Sequence, residues 1–201
     1  MRSSVLRLGA LVALLALDAC RTLPPPPLAA SAPWEQRRPQ LQALQHFQLK
    51  GRIALSAAGN GFNANLRWQQ QGERSQLVLE GPLGVGGTQI TAYGEDLQIV
   101  NAHGEHIGNE AARAELRTRL GFDVPLPSLR YWVLGVPDPA TPAQESLDAE
   151  QRLASLTQDG WQVTYGAYVA AGAAGAETLP ARLTLERDTV RVRLLVEDWQ
   201  L

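Results

Sequence analysis

The sequence feature that most constrains the fold is an alternation of apolar and polar side chains on both sides of a glycine-rich turn. Before the turn, apolar or small residues occupy every second position, at Phe47, Leu49, Gly51, Ile53 and Leu55. After Gly59-Asn60-Gly61 the same alternation resumes at Phe62, Ala64, Leu66 and Trp68. A period of two places these side chains on one face of extended strands. A Gly/Asn turn between two such runs predicts an antiparallel hairpin, whose apolar face another element must cover.

The rest of the chain continues as short segments separated by turn residues. Strands are predicted at Gln76–Glu80, Thr88–Tyr93, Leu97–Asn101, Trp161–Tyr168, Ala181–Glu186 and Val190–Trp199. Helical spacing predicts three helices, from Trp34 to about Gln45, at Asn109–Leu120 and at Pro127–Leu134. The polar, Pro- and Ala-rich segment Pro137–Glu150 is predicted to be a surface loop. A chain of 201 residues, 45% of them hydrophobic, has the length and composition of one folded domain. We therefore predict an antiparallel sheet with the two later helices across its concave side.

The N-terminus has the pattern of a bacterial lipoprotein export signal. Two arginines precede about ten apolar residues, and the single cysteine of the chain, Cys20, follows directly. This pattern is typical of a secretory signal rather than of a transmembrane helix. The spacing before Cys20 resembles a lipobox, in which the cysteine is acylated and becomes the first mature residue. An ordinary signal peptide with a cysteine near its end stays open as the alternative. Asp18 departs from the small or neutral residue usual at its position, a departure that concerns processing and not the fold.

A proline-rich tether follows the cysteine. Pro24–Pro27 favours an extended polyproline segment, which spans ~3.1 Å per residue. The predicted parts of the chain are a signal peptide at 1–19, a lipidated cysteine and tether at 20–33, and a folded domain at 34–201. Arg21 follows the cysteine where an aspartate would retain a lipoprotein in the inner membrane. We therefore expect a lipid anchor in the outer membrane, with the domain facing the periplasm.

Charge and motifs argue against catalysis and against nucleic-acid binding. The 18 basic and 20 acidic residues give a net charge of −2, and the basic residues are scattered rather than clustered. The sequence has no nucleophile elbow and no phosphate-binding loop; the glycine-rich segment Gly81–Gly87 joins two predicted strands. His103 and His106 flank Glu105 on a predicted turn without a third ligand nearby. We predict a protein that is not an enzyme and has no cofactor or metal.

The residues alone leave the interior of the sheet undecided. The five tryptophans are Trp34, Trp68, Trp132, Trp161 and Trp199. Each falls on a predicted helix or strand, where it serves either as packed core or as a rigid wall of an apolar pocket. A filled core and a ligand cavity are both compatible with this pattern.

Several short motifs occur in a specific order along the chain. They are Leu49-Lys50-Gly51-Arg52-Ile53-Ala54, Leu66-Arg67-Trp68-Gln69-Gln70, Gly81-Pro82-Leu83-Gly84, the Pro- and Trp-containing segment Pro125–Pro137, Gln158–Tyr165, Leu179-Pro180-Ala181-Arg182-Leu183 and Trp199. Together with the lipobox-like Cys20, their order and spacing resemble the LolB family of outer-membrane lipoprotein receptors. The resemblance covers nearly the whole mature chain.

The resemblance implies a mainly β (α+β) fold: an incomplete, half-open antiparallel β-barrel whose concave hydrophobic cavity is covered by helices. It also implies a receptor that accepts acylated lipoproteins from the periplasmic carrier LolA and inserts them into the inner leaflet of the outer membrane. Its partners would be LolA, lipoprotein cargo and outer-membrane phospholipid, with no nucleic acid, and the protein would be a monomer.

The expected site residues follow from the same resemblance. The acyl-chain cavity is expected to involve Leu49, Ile53, Phe62, Leu66, Trp68, Leu77, Leu79, Ile90, Leu129, Trp132, Trp161, Tyr165, Leu183 and Leu194. Leu83 matches the leucine of a protruding loop that assists lipoprotein acceptance and membrane insertion in the family. The alternatives are an anchored binding module for another lipid or amphiphile and a structural outer-membrane lipoprotein with a filled core.

Overall fold

A computed structural model describes residues 32–57, 60–81, 87–175 and 177–201. Within them the α-helices are α1 (Trp34–Gln42), α2 (Asn109–Leu120) and α3 (Leu126–Val133). The strands are β1 (His46–Ala57), β2 (Asn60–Gln71), β3 (Arg74–Glu80), β4 (Gly87–Tyr93), β5 (Asp96–Val100), β6 (His106–Gly108), β7 (Ala143–Leu147), β8 (Leu153–Gln158), β9 (Trp161–Ala171), β10 (Glu177–Arg187) and β11 (Val190–Gln200). The predicted signal peptide, Cys20 and nearly all of the tether lie outside the described residues. No helix in the described ranges is long and apolar enough to cross a membrane.

All of these strands belong to one antiparallel sheet, in the order β6-β5-β4-β3-β2-β1-β11-β10-β9-β8-β7. The chain builds one meander from the centre to the β6 edge, crosses over with α2 and α3, and builds a second meander from the β7 edge back to the centre. There β1 pairs with β11, with Ile53 opposite Leu194. β6 and β7 end this order and do not pair with each other, so the sheet is not closed, which fits an open barrel. The predicted mainly β fold with helices over the concave face is confirmed.

The first hairpin is confirmed, but its turn is shorter than predicted. β1 and β2 pair continuously from His46 opposite Gln71 to Ala57 opposite Asn60. Asn60 and Gly61 therefore belong to β2, and the connection is limited to residues 58–59, which lie outside the described residues. Two-residue connections are the commonest in hairpins because their twist matches that of the strands. The strand pairing thus extends further than the predicted Gly-Asn-Gly turn allows.

Gly51 is required by a close approach at the centre of the sheet. A β-carbon at this position would lie 2.1 Å from the carbonyl oxygen of Leu195, a distance that no side chain tolerates. The register between β1 and β11 also shifts between Lys50 and Gly51. Glycine within a strand commonly marks such a bulge or a close backbone contact. The glycine of the first motif therefore permits the contact that joins the two meanders.

Three strand assignments and one helix end correct the sequence analysis. The predicted loop Pro137–Glu150 contains β7, and the strands β6 and β8 were not predicted at all. β6 has only three residues, and β7 shifts register against β8 between Ser146 and Leu147, which disrupts the period of two. α1 ends at Gln42 rather than near Gln45. The edge strands β6 and β7 carry too few alternations to be distinguished from loops by pattern alone, and β8 lies inside the sheet but its sequence does not alternate.

Candidate functional site

An apolar cavity of about 490 Å³ lies between the concave face of the sheet and the helices α2 and α3. Side chains of β1–β4, together with a few from β9–β11, form one wall, and α2, α3 and their connection form the other. Arg119, at the C-terminal end of α2, is the one charged residue among the described residues that line it. The described lining contains no carboxylate, imidazole or thiol, and its mainly apolar side chains are suited to an apolar ligand.

The structure brings most of the expected cavity residues together. Ten of the fourteen line the cavity, namely Ile53, Phe62, Leu66, Trp68, Leu77, Leu79, Ile90, Leu129, Trp161 and Leu194. The other four, Leu49, Trp132, Tyr165 and Leu183, do not line it, and each is at most 8% exposed within the packed core. Leu49 is at the end of the sheet that is filled by an aromatic cluster, in which the Phe47 ring lies 5.8 Å from Trp68 and 5.7 Å from Trp199.

The cavity also includes residues that the sequence analysis did not select. They are Leu55, Ala64, Leu116, Leu120, Phe122, Val124, Leu126, Val133, Leu185 and Val192, besides small and polar residues at the rim. Leu55 and Ala64 belong to the same alternation as the residues that were selected, and Leu116 and Leu120 share one face of α2. The alternation of the strands and the spacing of the helix could therefore have identified these four residues from the sequence. Phe122 and Val124 lie between the helices, where no periodicity marks them.

Trp161 connects the cavity wall to the packed core. Its ring lies edge-on to Phe122, with centroids 5.5 Å apart, and the guanidinium carbon of Arg187 lies 4.5 Å from its ring centroid. Trp161 is 1% exposed, and its indole nitrogen has no hydrogen-bond partner among the described residues. The ring is held by apolar and cation–π contacts, so it forms a fixed part of the wall.

A buried polar network fixes α3 against the second meander. The Trp132 indole nitrogen donates to Oε1 of Gln158 over 2.8 Å, and Nε2 of Gln158 donates to the carbonyl oxygen of Asp138 over 2.7 Å. The hydroxyl of Ser128 donates to the Asp138 carboxylate over 2.9 Å, and the hydroxyl of Tyr165 donates to the carbonyl oxygen of Trp132 over 3.0 Å. Burial raises the pKa of Tyr165 well above its ordinary value, so the hydroxyl remains a donor.

Leu83 lies outside the described residues, but its surroundings bear on its expected role. Residues 82–86 connect Gly81 to β4, and both Gly81 and Thr88 line the cavity. The segment that contains Leu83 therefore starts and ends at the cavity rim. Phe62, on the neighbouring hairpin, also lines the cavity and is 37% exposed.

The histidine pair lies on a hairpin turn. The side-chain oxygen of Asn101 accepts hydrogen bonds from the backbone N–H groups of His103 and Glu105, over 2.9 and 3.1 Å. His106 begins β6 and is exposed. Across the described ranges, no three histidine, cysteine, aspartate or glutamate side chains converge in a way that could hold a metal ion.

Comparison with known proteins identifies the family. Residues 45–199 match the family described as outer membrane lipoprotein LolB. An outer-membrane lipoprotein LolB from Nitrosococcus oceani is 33% identical over 196 residues, which cover 95% of each chain. A protein of the same name from Pseudomonas putida strain W619 is 36% identical over 171 residues, which cover 83% of this chain and 80% of the relative. These names describe a lipoprotein and not an enzyme, in agreement with the sequence analysis.

Solved structures agree on the fold at low sequence identity. A LolA-superfamily protein from Nitrosomonas europaea has a TM-score of 0.55 at 13% identity and covers 85% of this chain and 94% of its own. A DUF1329-family protein from Desulfovibrio piger has a TM-score of 0.54 at 7% identity and covers 83% of this chain and 90% of its own. The family match and the relatives, each covered over most of its length, lead to one conclusion: this chain belongs to the LolB family of outer-membrane lipoproteins.

Proposed function

We propose that the chain is an outer-membrane-anchored receptor that accepts lipoproteins from the periplasmic carrier LolA and inserts them into the inner leaflet of the outer membrane. The observation that carries this proposal is the apolar cavity with a single charged residue in its described lining. Membership of the LolB family supports the same role. The domain acts as a monomer, with acylated cargo, LolA and phospholipid as its partners.

The size of the cavity fits an acyl chain. An apolar cavity of roughly 150 Å³ holds one benzene molecule. The observed 490 Å³ is about three times larger and so holds one acyl chain. A chain of ~15 methylenes costs ~12 kcal/mol to expose to water, at ~0.8 kcal/mol for each methylene. Shielding within the cavity removes most of this cost. Transfer then runs downhill from the carrier, through this domain, to the bilayer.

The N-terminal segment supplies the anchor in this proposal. Acylation of Cys20 fixes the chain in the membrane, and the 20–33 tether reaches roughly 40 Å when extended at ~3.1 Å per residue. We expect Cys20→Ala to release the protein from the membrane fraction without changing its unfolding curve, since α1 begins after the tether. Membrane retention of this variant through a lipid on its N-terminus would contradict the anchor.

The cavity is tested by two adjacent residues on opposite faces of β3. Leu79 lines the cavity and is half-buried, whereas Val78 is outside the cavity lining and pairs with Arg67 of β2. A glutamate at position 79 places an unpaired charge among apolar side chains, at a cost of several kcal/mol. We expect Leu79→Glu to reduce acceptance of lipoprotein from a LolA complex at least tenfold, and Val78→Glu to leave it unchanged.

Acceptance is measured by co-purification of the lipoprotein with the receptor, beside an unfolding curve for each variant. Equal acceptance by a folded Leu79→Glu variant would contradict the cavity assignment. Uptake of a free fatty acid without acceptance from LolA would favour a binding module for another amphiphile.

Leu83 is proposed to bring the cavity rim to the bilayer. An apolar side chain that enters the lipid interface gains roughly 1.5–3 kcal/mol when fully buried. We expect Leu83→Glu to slow transfer of bound lipoprotein into liposomes while its melting temperature stays within a degree or two of the parent. Normal transfer would exclude this role, and a large loss of stability would place Leu83 in the core.

A further inference from the structure

A second space of about 670 Å³ lies further along the same sheet face beneath α2 and α3, where Gln70, Ser75 and Ala92 line it. It opens between the turn that joins β2 to β3 and the turn that joins β4 to β5, at Glu73 and Gly94–Asp96. The apolar cavity instead extends to Gly81 and Thr88, at the opposite end of β3. We call this second space the polar cleft.

The two spaces adjoin and share three lining side chains. Leu116, Val124 and Leu126 line both the apolar cavity and the polar cleft. α3 presents a different face to each, with Leu129 and Val133 toward the cavity and Arg130 and Tyr131 toward the cleft. Residues four apart share a helix face, so this division follows from the helical period. The cavity is apolar and the adjoining cleft is polar, so together they match the apolar and polar ends of an amphiphile.

Arg130 differs from the other arginines that line the cleft. Arg113 is paired with Glu95 over 3.5 Å, and Arg117 is paired with Asp123 over 2.7 Å. Arg130 has no carboxylate partner among the described residues. Its Nη1 donates to the carbonyl oxygen of Gly72 over 3.2 Å, and its guanidinium carbon lies 4.8 Å from the centroid of the Tyr131 ring.

Arg130 also retains unused hydrogen-bonding capacity. Its Nε is buried without an acceptor in the part of the chain that the structure describes. A guanidinium has five donors and no acceptor, and an unpaired buried donor is costly. Because Nε is enclosed, an acceptor oxygen in the cleft would be bound by the terminal nitrogens, of which only Nη1 has a partner among the described residues.

The charge of the cleft indicates whether the acceptor oxygens of the ligand are anionic or neutral. Five carboxylates and three guanidiniums line it, the carboxylates being Glu73, Glu95, Asp96, Asp123 and Asp138. An excess of carboxylates disfavours an anionic ligand because of like-charge repulsion. Neutral carbonyl oxygens bind to a guanidinium without that cost.

We infer that the polar cleft binds the polar end of the acylated cargo, with Arg130 donating hydrogen bonds to its ester or peptide carbonyl oxygens. This inference rests on the proposed function, because it assigns the acyl chain to the adjacent cavity. A chain bound across both spaces passes Leu116 and Leu126, and its methyl end points toward the end of the cavity at Gly81 and Thr88. Release into the bilayer then proceeds with the acyl chain first.

The first test compares two arginines of the same cleft. Arg130→Gln is measured against Arg113→Gln, which removes an arginine that already has an ion-pair partner. The probes are a diacylglyceryl-cysteinyl tripeptide and the hydrocarbon dye diphenylhexatriene. We expect Arg130→Gln to weaken tripeptide binding about tenfold, equivalent to ~1.4 kcal/mol, with dye binding unchanged. Arg113→Gln leaves both affinities within about twofold. Unchanged tripeptide affinity in folded Arg130→Gln would overturn the inference.

The second test does not depend on Arg130. In the Cys20→Ala chain, a single cysteine is placed in the cleft by Glu73→Cys or at the cavity rim by Thr88→Cys. The same tripeptide carries a maleimide at its carboxyl end. We expect labelling at position 73 and not at position 88. Labelling at 88, or at neither position with the tripeptide bound, would overturn the inference. Failure of the unmodified chain to bind either tripeptide or dye would instead contradict the proposed function.

Discussion

The two meanders of the sheet present the same kind of apolar face, yet the large cavity lies mainly against the first, and only Trp161, Leu185, Val192 and Leu194 of the second line it. In the second meander, Leu153, Leu156 and Val163 are completely buried. In the first meander, Ile53 and Leu79 are half-buried and line the cavity. Alternating side chains determine which face of a strand points inward. The element that lies opposite determines whether that face is packed or left open.

The helices account for the difference. α3 carries Trp132, which is fully buried and hydrogen-bonded to Gln158 of β8. α2 buries only Ala112 and Leu116. The ion pairs that Arg117 and Arg119 form in its last turn are exposed at the surface. Surface ion pairs contribute at most about 1 kcal/mol each. The second meander therefore has a cover held by buried polar and aromatic contacts, whereas the first faces a helix held mainly by apolar contacts.

The largest expected effect is the removal of the central side chain of the packed meander. Trp132→Ala deletes a fully buried ring and leaves the Gln158 amide without one partner, so we expect a loss of about 3–5 kcal/mol in the free energy of unfolding. Trp132→Phe retains most of the ring and should cost less. Urea unfolding of the three proteins measures the difference. A loss below about 1 kcal/mol for Trp132→Ala would show that α3 is not held by this contact.

A pair of leucines compares the two meanders directly. Leu183 is completely buried, so Leu183→Ala should cost about 2–5 kcal/mol. Leu79 already borders a cavity, so Leu79→Ala removes fewer contacts and should cost about 1 kcal/mol. We expect the Leu79 variant to bind a hydrocarbon dye at least as well as the parent does. Equal losses of stability at the two positions would contradict the distinction between packed and open halves.

The smallest expected effect concerns the turn between β7 and β8. Burial alone would raise the pKa of Asp148, but backbone and side-chain hydrogen bonds from Arg152 outweigh it and lower the pKa below the ordinary 3.8. A lowered pKa stabilises the folded state above the unfolded value, and this stabilisation is lost as the pH falls through the folded pKa.

Asp148→Asn should therefore reduce the free energy of unfolding by a few tenths of a kcal/mol at pH 7, since the carboxylate is partly exposed. The difference between the variant and the parent should shrink as the pH is lowered below 3.8. Thermal unfolding at pH 7 and pH 3 measures it. A difference that grows at low pH would mean that the turn is not stabilised by the charged form.

The alternation along the chain determined much of the fold before any tertiary contact was known. It located both strands of the first hairpin and the strands β9–β11, and helical spacing located α2 and α3. The same pattern assigned Ile53, Leu66 and Leu77 to the inner face, because a period of two is a local property of extended backbone. The lipobox-like cysteine and the order of motifs indicated the family, since these signals also lie in the linear sequence.

Only the tertiary structure decided which inward side chains border a space and which are enclosed. Trp132, Tyr165 and Leu183 were expected in the cavity wall, yet the fold places them in the packed core. Trp132 is held by Gln158, which is 26 residues away in the sequence, and Tyr165 is held by the carbonyl oxygen of Trp132. The polar cleft likewise exists only because α2, α3 and two distant turns converge. Periodicity records the direction of a side chain relative to its own backbone, and it contains no information about what the rest of the chain places opposite.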